Sequence, residues 1–328
     1  MTETFRWGIL GTGRIAGVFA DGLTQLPDAT LLAVGSRAQE TADAFGEKYA
    51  IPRRYASYAE LAADPDVDAI YVASPHSGHR PDTLLCLEHG KAVICEKPFA
   101  INAAQAREMV DFARAHKIFL MEAMWTRFLP LMVKVRELIA EGAIGDVLML
   151  QSDFGFRTDV NPKSRLFDMN LGGGGLLDVG VYPVSLASMI FGKPERIASL
   201  ANLGATGVDE QGAAIFSYAG GKRMAIVSTA VRTNTPHETV IMGSAGSMKI
   251  HAPSWAPRQL TLRRGGQSDE LVEIGFPGNG YQYEAAELMR CVREGRLESA
   301  VIPLDETIQV METMDAIRAQ WGLKYPME

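Results

Sequence analysis

Cysteine is scarce: Cys86, Cys95 and Cys291 are the only three in 328 residues. The number is odd, the spacing suits no metal, and each sits in an apolar setting, so no disulfide framework is expected. They read as small core hydrophobes in a reducing cytoplasm. No uninterrupted run of 18 apolar residues occurs, so no membrane span is expected. Met1-Thr2-Glu3-Thr4-Phe5-Arg6-Trp7 lacks a basic segment followed by an apolar run, so no signal peptide is expected. Basic residues are outnumbered 32 to 39, a net charge of −7 that offers no field for nucleic acid. Repeats and low-complexity segments are also missing. What remains is 47% hydrophobic and 22% charged, ordinary globular composition at a length that suits two domains.

The stretch Val93-Ile94-Cys95-Glu96-Lys97-Pro98 organises the rest. It reads as a buried strand that proline stops, leaving Lys97 at its carboxyl end. In open α/β sheets that edge is where ligands bind. Upstream, the apolar run Phe5 to Leu10 ends in Gly11-Thr12-Gly13-Arg14-Ile15-Ala16, and a helical spacing follows. Strand, glycine turn and helix together make G-x-G-x-x-A a dinucleotide fingerprint. Gly11 permits the tight turn, Gly13 admits a pyrophosphate, and Ala16 lets the helix pack closely. Thr12, Arg14 and Ile15 open the helix N-terminus, whose N–H groups suit phosphate.

After the second strand, Leu31 to Val34, an acid would suit NAD and an arginine the 2′-phosphate of NADP. Gly35-Ser36-Arg37 supplies a hydroxyl and a guanidinium, and no acid appears before Glu40, so NADP is expected. The competing reading makes Arg37 an ordinary exposed residue at a helix start. A further strand, Asp68 to Ala73, ends at Ser74-Pro75-His76-Ser77-Gly78-His79, a loop expected beside the cofactor. His76 and His79 with Glu96 lack a second ligand pair, so no metal is expected. Strands alternating with helices over about 120 residues imply a doubly wound parallel sheet.

Past Met121 the pattern changes. Glu122 to Pro130, carrying Trp125, Arg127 and Phe128, reads as a link. From Val147 strand-like runs dominate, which predicts an α+β unit with a mostly antiparallel sheet. The expected division is a Rossmann-type domain over residues 1–123 and a second domain over 124–328. Gly172-Gly173-Gly174-Gly175-Leu176-Leu177-Asp178-Val179-Gly180-Val181-Tyr182 opens a helix on which Asp178 and Tyr182 share one face. Asp153, Arg157, Asn161, Arg165 and Phe167 precede it in a polar loop.

The fingerprint at Gly11, the triplet Glu96-Lys97-Pro98 and the Gly-Gly-Gly-x-x-x-Asp-x-Gly run resemble the glucose–fructose oxidoreductase/inositol dehydrogenase (Gfo/Idh/MocA) family. Met121-Glu122-Ala123-Met124-Trp125-Thr126-Arg127-Phe128 and Gly180-Val181-Tyr182-Pro183 are similar to its dimeric dihydrodiol dehydrogenase and NADP-linked D-xylose dehydrogenase branch. The resemblance implies a Rossmann domain, an open-sheet domain that pairs subunits, and an active site between the domains. It implies that Lys97 lies at the substrate carbinol and that Asp178 and Tyr182 complete the site. Tyr182 stands where much of the family has histidine. The implied function is NADP(H)-dependent hydride transfer at a sugar or vicinal-diol-like alcohol, with aldopyranose oxidation at C1, D-xylose included, or trans-dihydrodiol oxidation as first choice. Reduction of a keto- or anhydro-sugar is the alternative, and an NADP-binding sensor the third reading. A phenol has a pKa of about 10, and a neighbouring ammonium favours its phenolate, so Tyr182 is the expected base and Lys97 the alkoxide stabiliser. Asp178 is expected to balance the lysine, and Trp125, Arg127 and Arg165 to position substrate. Ser74, Pro75, His79, Glu96, Lys97 and Trp125 join the cofactor set.

Overall fold

A computed structural model describes residues 4–328, which divide into two compact units. The first unit takes the chain to Ala100, then Ala104–Trp125 and Pro277–Thr307. Its opening stretch alternates strictly: β1 (Phe5–Leu10), α1 (Arg14–Leu23), β2 (Ala29–Gly35), α2 (Gln39–Lys48), β3 (Arg53–Tyr55), α3 (Tyr58–Ala63), β4 (Ala69–Val72), α4 (His79–Glu88), β5 (Ala92–Glu96), α5 (Ala103–His116) and β6 (Leu120–Ala123). All six strands pair in parallel, in the order β3-β2-β1-β4-β5-β6. β4 and β5 are buried at every position, as near-continuous apolar runs must be when both faces of a sheet are covered. Ser57 caps α3 by accepting the Glu60 N–H, and Gly90, at φ +73°, follows the end of α4. The order reverses between β1 and β4, so the crevice at their carboxyl ends is this fold's binding position.

The second unit comprises Ile101–Ala103, Thr126–Phe276 and Ile308–Glu328. It holds α6 (Pro130–Ala140), β7 (Val147–Gly155), α7 (Val181–Phe191), β8 (Arg196–Leu203), β9 (Asp209–Tyr218), β10 (Arg223–Ala230), β11 (Thr239–Gly243), β12 (Gly246–Ile250), β13 (Gln259–Arg264) and β14 (Glu270–Glu273). The sheet runs β14-β13-β12-β11-β7-β10-β9-β8 and is antiparallel except where β7 meets β10. Segment Met169–Phe191 is long and apolar enough by composition to cross a membrane, but it is mostly buried inside the protein as a core helix.

The chain closes with α8 (Gln282–Arg293) and α9 (Leu304–Trp321). Here the division at residues 123 and 124 needs correction, because 277–307 belong to the first unit. Asn279 donates to the Val18 carbonyl at 2.7 Å, and Thr307 donates to the buried Glu122 at 3.0 Å. A Cβ on Gly22 of α1 would stand 3.0 Å from Tyr281, a close approach that glycine permits. Long-range contacts of this kind leave no periodic trace. β6 begins only at Leu120, because Lys117 takes φ +56° and Ile118 still donates back to the Ala113 carbonyl.

Candidate active site

The candidate residues fall into two sets, one in each unit. In the first, the carboxyl ends of β1, β2, β4 and β5 present theirs along one sheet edge. Gly11 has φ +103°, and a Cβ there would stand 2.9 Å from the Ala73 carbonyl oxygen, so only glycine makes the turn without strain. Gly13 differs. It precedes α1, is exposed, and a Cβ built on it meets nothing within 4 Å. The protein itself leaves that space open where the helix N-terminus offers N–H groups, as a pyrophosphate needs. Thr12, Arg14 and Ile15 lie in the same turn, with Arg14 exposed.

Beyond β2, Ser36 is buried and its hydroxyl pairs with Thr41 Oγ1 at 2.6 Å and faces Thr12 Oγ1 at 3.4 Å. Arg37 is exposed, and its charge reaches Tyr58 and Asp82. Ser74 and Pro75 follow β4, half-buried. The buried ring of His79 faces two carbonyls, Pro98 O from Nδ1 at 2.7 Å and Ser74 O from Nε2 at 3.0 Å. It therefore ties the loop after β4 to the turn after β5.

Lys97 is the half-buried residue in a fully buried neighbourhood. Its backbone N–H donates to Glu96 Oε2 at 3.0 Å, and Tyr71 donates a short hydrogen bond to the other oxygen of that carboxylate. Complete burial, then the Glu96 charge, hold the Tyr71 phenol well above its usual range, so it stays a donor. Glu96 thus anchors the strand end that bears Lys97. Trp125, after β6, is buried with its ring stacked on Tyr281 at 4.7 Å.

In the second unit the glycine run leads into a π-helical turn, Leu176–Gly180, continuous with α7. Such turns recur at functional sites. Asp178, 6% exposed, accepts from Arg165 Nη1 at 2.7 Å. Arg165, from the same unit, thus gives Asp178 a cationic partner. The loop that carries Arg165 has a small core, with Phe167, Val208 and Val231 packed beneath Phe156, Leu166 and Met169. Arg127, a candidate for substrate positioning, lies at the base of α7. It is 2% exposed, and its guanidinium donates to the carbonyl and hydroxyl oxygens of Ser185 at 2.6 and 3.0 Å. It braces α7 from within.

Tyr182 is half-buried and packs against Phe154, ring centres 5.3 Å apart. Phe154 stacks on Trp255 at 3.7 Å, and His237 meets both edge-on. None of these three aromatics was singled out from the sequence. The one available signal was Trp255, a rare residue in the proline-bearing turn Ala252-Pro253-Ser254-Trp255-Ala256-Pro257.

A family model described as "Oxidoreductase family, NAD-binding Rossmann fold" matches residues 5–124, and one described as "GFO/IDH/MocA C-terminal domain" matches 132–249. The chain is 39% identical over 334 residues to trans-1,2-dihydrobenzene-1,2-diol dehydrogenase of Mus musculus, covering 98% of each chain. It is 37% identical over 366 residues to D-xylose 1-dehydrogenase (NADP(+)) of Hypocrea jecorina, covering 98% of this chain and 93% of that one. Among solved structures it is similar to aldose-aldose oxidoreductase from Caulobacter crescentus complexed with glycerol, with TM-score 0.88, 25% identity and 98% of each chain covered. A 3-ketoreductase from Actinomadura kijaniata in complex with NADP and TDP-benzene shares the fold, with TM-score 0.86 and 22% identity over 97% of this chain and 98% of that one.

Proposed function

The chain belongs to the Gfo/Idh/MocA oxidoreductase family, and we propose that it is the NADP-dependent dehydrogenase of an aldopyranose at C1 or of a trans-dihydrodiol. One observation carries the reading: the Gly11–Gly13 turn, Ser36–Arg37 and Lys97 line one edge of a single parallel sheet. The open space at Gly13 fits a pyrophosphate, and exposed Arg37 fits a 2′-phosphate. When bound, NADP supplies the hydride acceptor. This chain's residues do the rest. As the C–H bond gives up its hydride, the hydroxyl proton leaves to Tyr182, the general base. Lys97 stabilises the charge that develops on the oxygen. Asp178, held by Arg165, positions the substrate hydroxyls. The faces of Phe154 and Trp255, beside Tyr182, suit the C–H face of a pyranose or the flat ring of a dihydrodiol. A panel of D-xylose, D-glucose, anhydro-fructose and trans-dihydrodiols, followed by NADPH absorbance in both directions, tests the reading. No turnover with any sugar or diol would overturn it.

The cofactor assignment has its own test. Arg37→Asp loses a charged pair at phosphate, worth roughly 1.5–3 kcal/mol, so NADP binding weakens about 10- to 150-fold. NAD binding changes far less. Titration of both cofactors decides, and an equal loss for the two removes Arg37 from that role.

We also infer a homodimer built on the outer face of the eight-stranded sheet. Cross-strand registers place Leu200, Ile215, Ile226, Met224, Met149 and Met242 on that face. Leu200 is 83% exposed and Ile215 46%, an apolar surface of the kind that marks interaction sites. Light scattering at micromolar concentration should give the dimer mass, and Leu200→Glu with Ile215→Glu the monomer. A monomeric parent protein refutes the assembly. The three buried free thiols support a cytoplasmic setting, which cell fractionation would test.

A further inference from the structure

Asp209 opens β9 beneath the glycine run, at 0% exposure. Its Oδ2 accepts the Leu176 N–H at 2.6 Å, the first residue of the π-helical turn. Its Oδ1 has no hydrogen-bond partner and points at Gly174, where a Cβ would stand 2.2 Å away. Gly174 has φ +115°, so the chain has given up a side chain to bring its backbone over this carboxyl. Thr229 donates to the Gly175 carbonyl at 3.0 Å and Tyr325 to that of Gly173 at 2.5 Å. On the other side, Gly174 donates to Leu166 O at 2.8 Å, and a Cβ on Gly173 would stand 2.8 Å from Arg165 O. The run from Arg165 to Asp178 therefore begins and ends in the ion pair and is clamped at its middle by Asp209.

Burying a carboxyl with one oxygen unsatisfied is costly, and such a group calls for a reason. Burial pushes its carboxyl up to about 7, offset in part by the Leu176 N–H, by its own backbone N–H and by Arg318. A serine or threonine could cap this turn more cheaply, so capping alone does not account for a carboxyl here.

We propose that Asp209 is the positioning residue of the substrate half of this site. From below the glycine run it fixes the turn that carries Asp178 and Tyr182 in register with Arg165. The proposal rests on the roles given to Asp178 and Tyr182 above. Two measurements on Asp209→Ala and Asp209→Asn test it: hydrogen exchange by segment, and kcat divided by the number of NADPH sites titrated, which removes any unfolded fraction. Asp209→Ala should speed exchange over residues 172–182 by about tenfold, the loss of one hydrogen bond. Exchange over residues 5–20 and the NADPH affinity should stay within about twofold. The kcat per site should fall roughly 10- to 100-fold, since misplacement of about 1 Å costs that much. Asp209→Asn keeps the shape and an acceptor, so its loss of kcat should be the smaller, about threefold to tenfold. If Asp209→Ala does not fold, the Asn variant carries the comparison. Unchanged exchange over 172–182 overturns the proposal. So does faster exchange with kcat retained, which makes Asp209 a cap only. If Tyr182→Phe also keeps its kcat, the assignment of that tyrosine is what failed, and the role of Asp209 falls with it.

Discussion

Tyr182→Phe and Lys97→Met should each lower kcat by roughly 10²–10⁴-fold, the range for a general acid–base group. The two residues come from different units, one at the end of β5 and one at the start of α7. Their shared chemistry is the argument for linking them. Tyrosine is a poor base at neutral pH unless a cation favours its phenolate. A developing alkoxide needs a positive partner, and lysine serves both demands. Residues that serve one step are non-additive when removed, so the double mutant should be little worse than the poorer single. NADPH affinity should survive in all three, because the Gly11–Gly13 turn is untouched. If Tyr182→Phe keeps near-parental kcat, tyrosine is not the base and Lys97 carries the proton alone. If both singles stay active, the assigned site is wrong.

The parallel sheet was legible in the sequence because its strands are short apolar runs between helical periods, and β4 and β5 are buried on both faces. The edge residues followed from that, since Gly11, Arg37 and Lys97 each sit one or two positions past a strand. What stayed hidden depends on distant contacts. Residues 277–307 join the first unit through Asn279, Tyr281 and Thr307, whose partners Val18, Trp125 and Glu122 are all distant in the chain. β12 and β13 do alternate polar and apolar, in Ser247-Met248-Lys249-Ile250 and Gln259-Leu260-Thr261-Leu262, and so were open to reading; only β14, Glu270-Leu271-Val272-Glu273, shows no alternation. Nothing local showed that Arg127 would also hydrogen-bond Ser185 of α7. Asp209 sits 31 residues beyond Asp178 with no spacing to connect them.

Gly13→Ala separates the demands of the fold from those of the cofactor. At Gly11 the two are entangled. Alanine there would be strained at φ +103° and crowd the Ala73 carbonyl, so lost binding would be hard to tell from lost structure. Gly13 has no such constraint. Its φ is −75°, which any residue adopts, and its Cβ would meet no protein atom within 4 Å. The variant should therefore fold with an unchanged Tm, or a slightly raised one, since alanine restricts the unfolded chain more than glycine. The added methyl would occupy the space assigned to the pyrophosphate and push it off the helix N-terminus. Hydrogen bonds to charged groups are worth about 1.5–3 kcal/mol each, so losing two weakens NADPH binding by roughly 10²–10⁴-fold. Fluorescence titration should show that loss, and NADPH should no longer raise the Tm. A Gly13→Ala protein that binds NADPH as the parent does would mean that the pyrophosphate does not lie on this turn. The glycine fingerprint would then be a structural turn only.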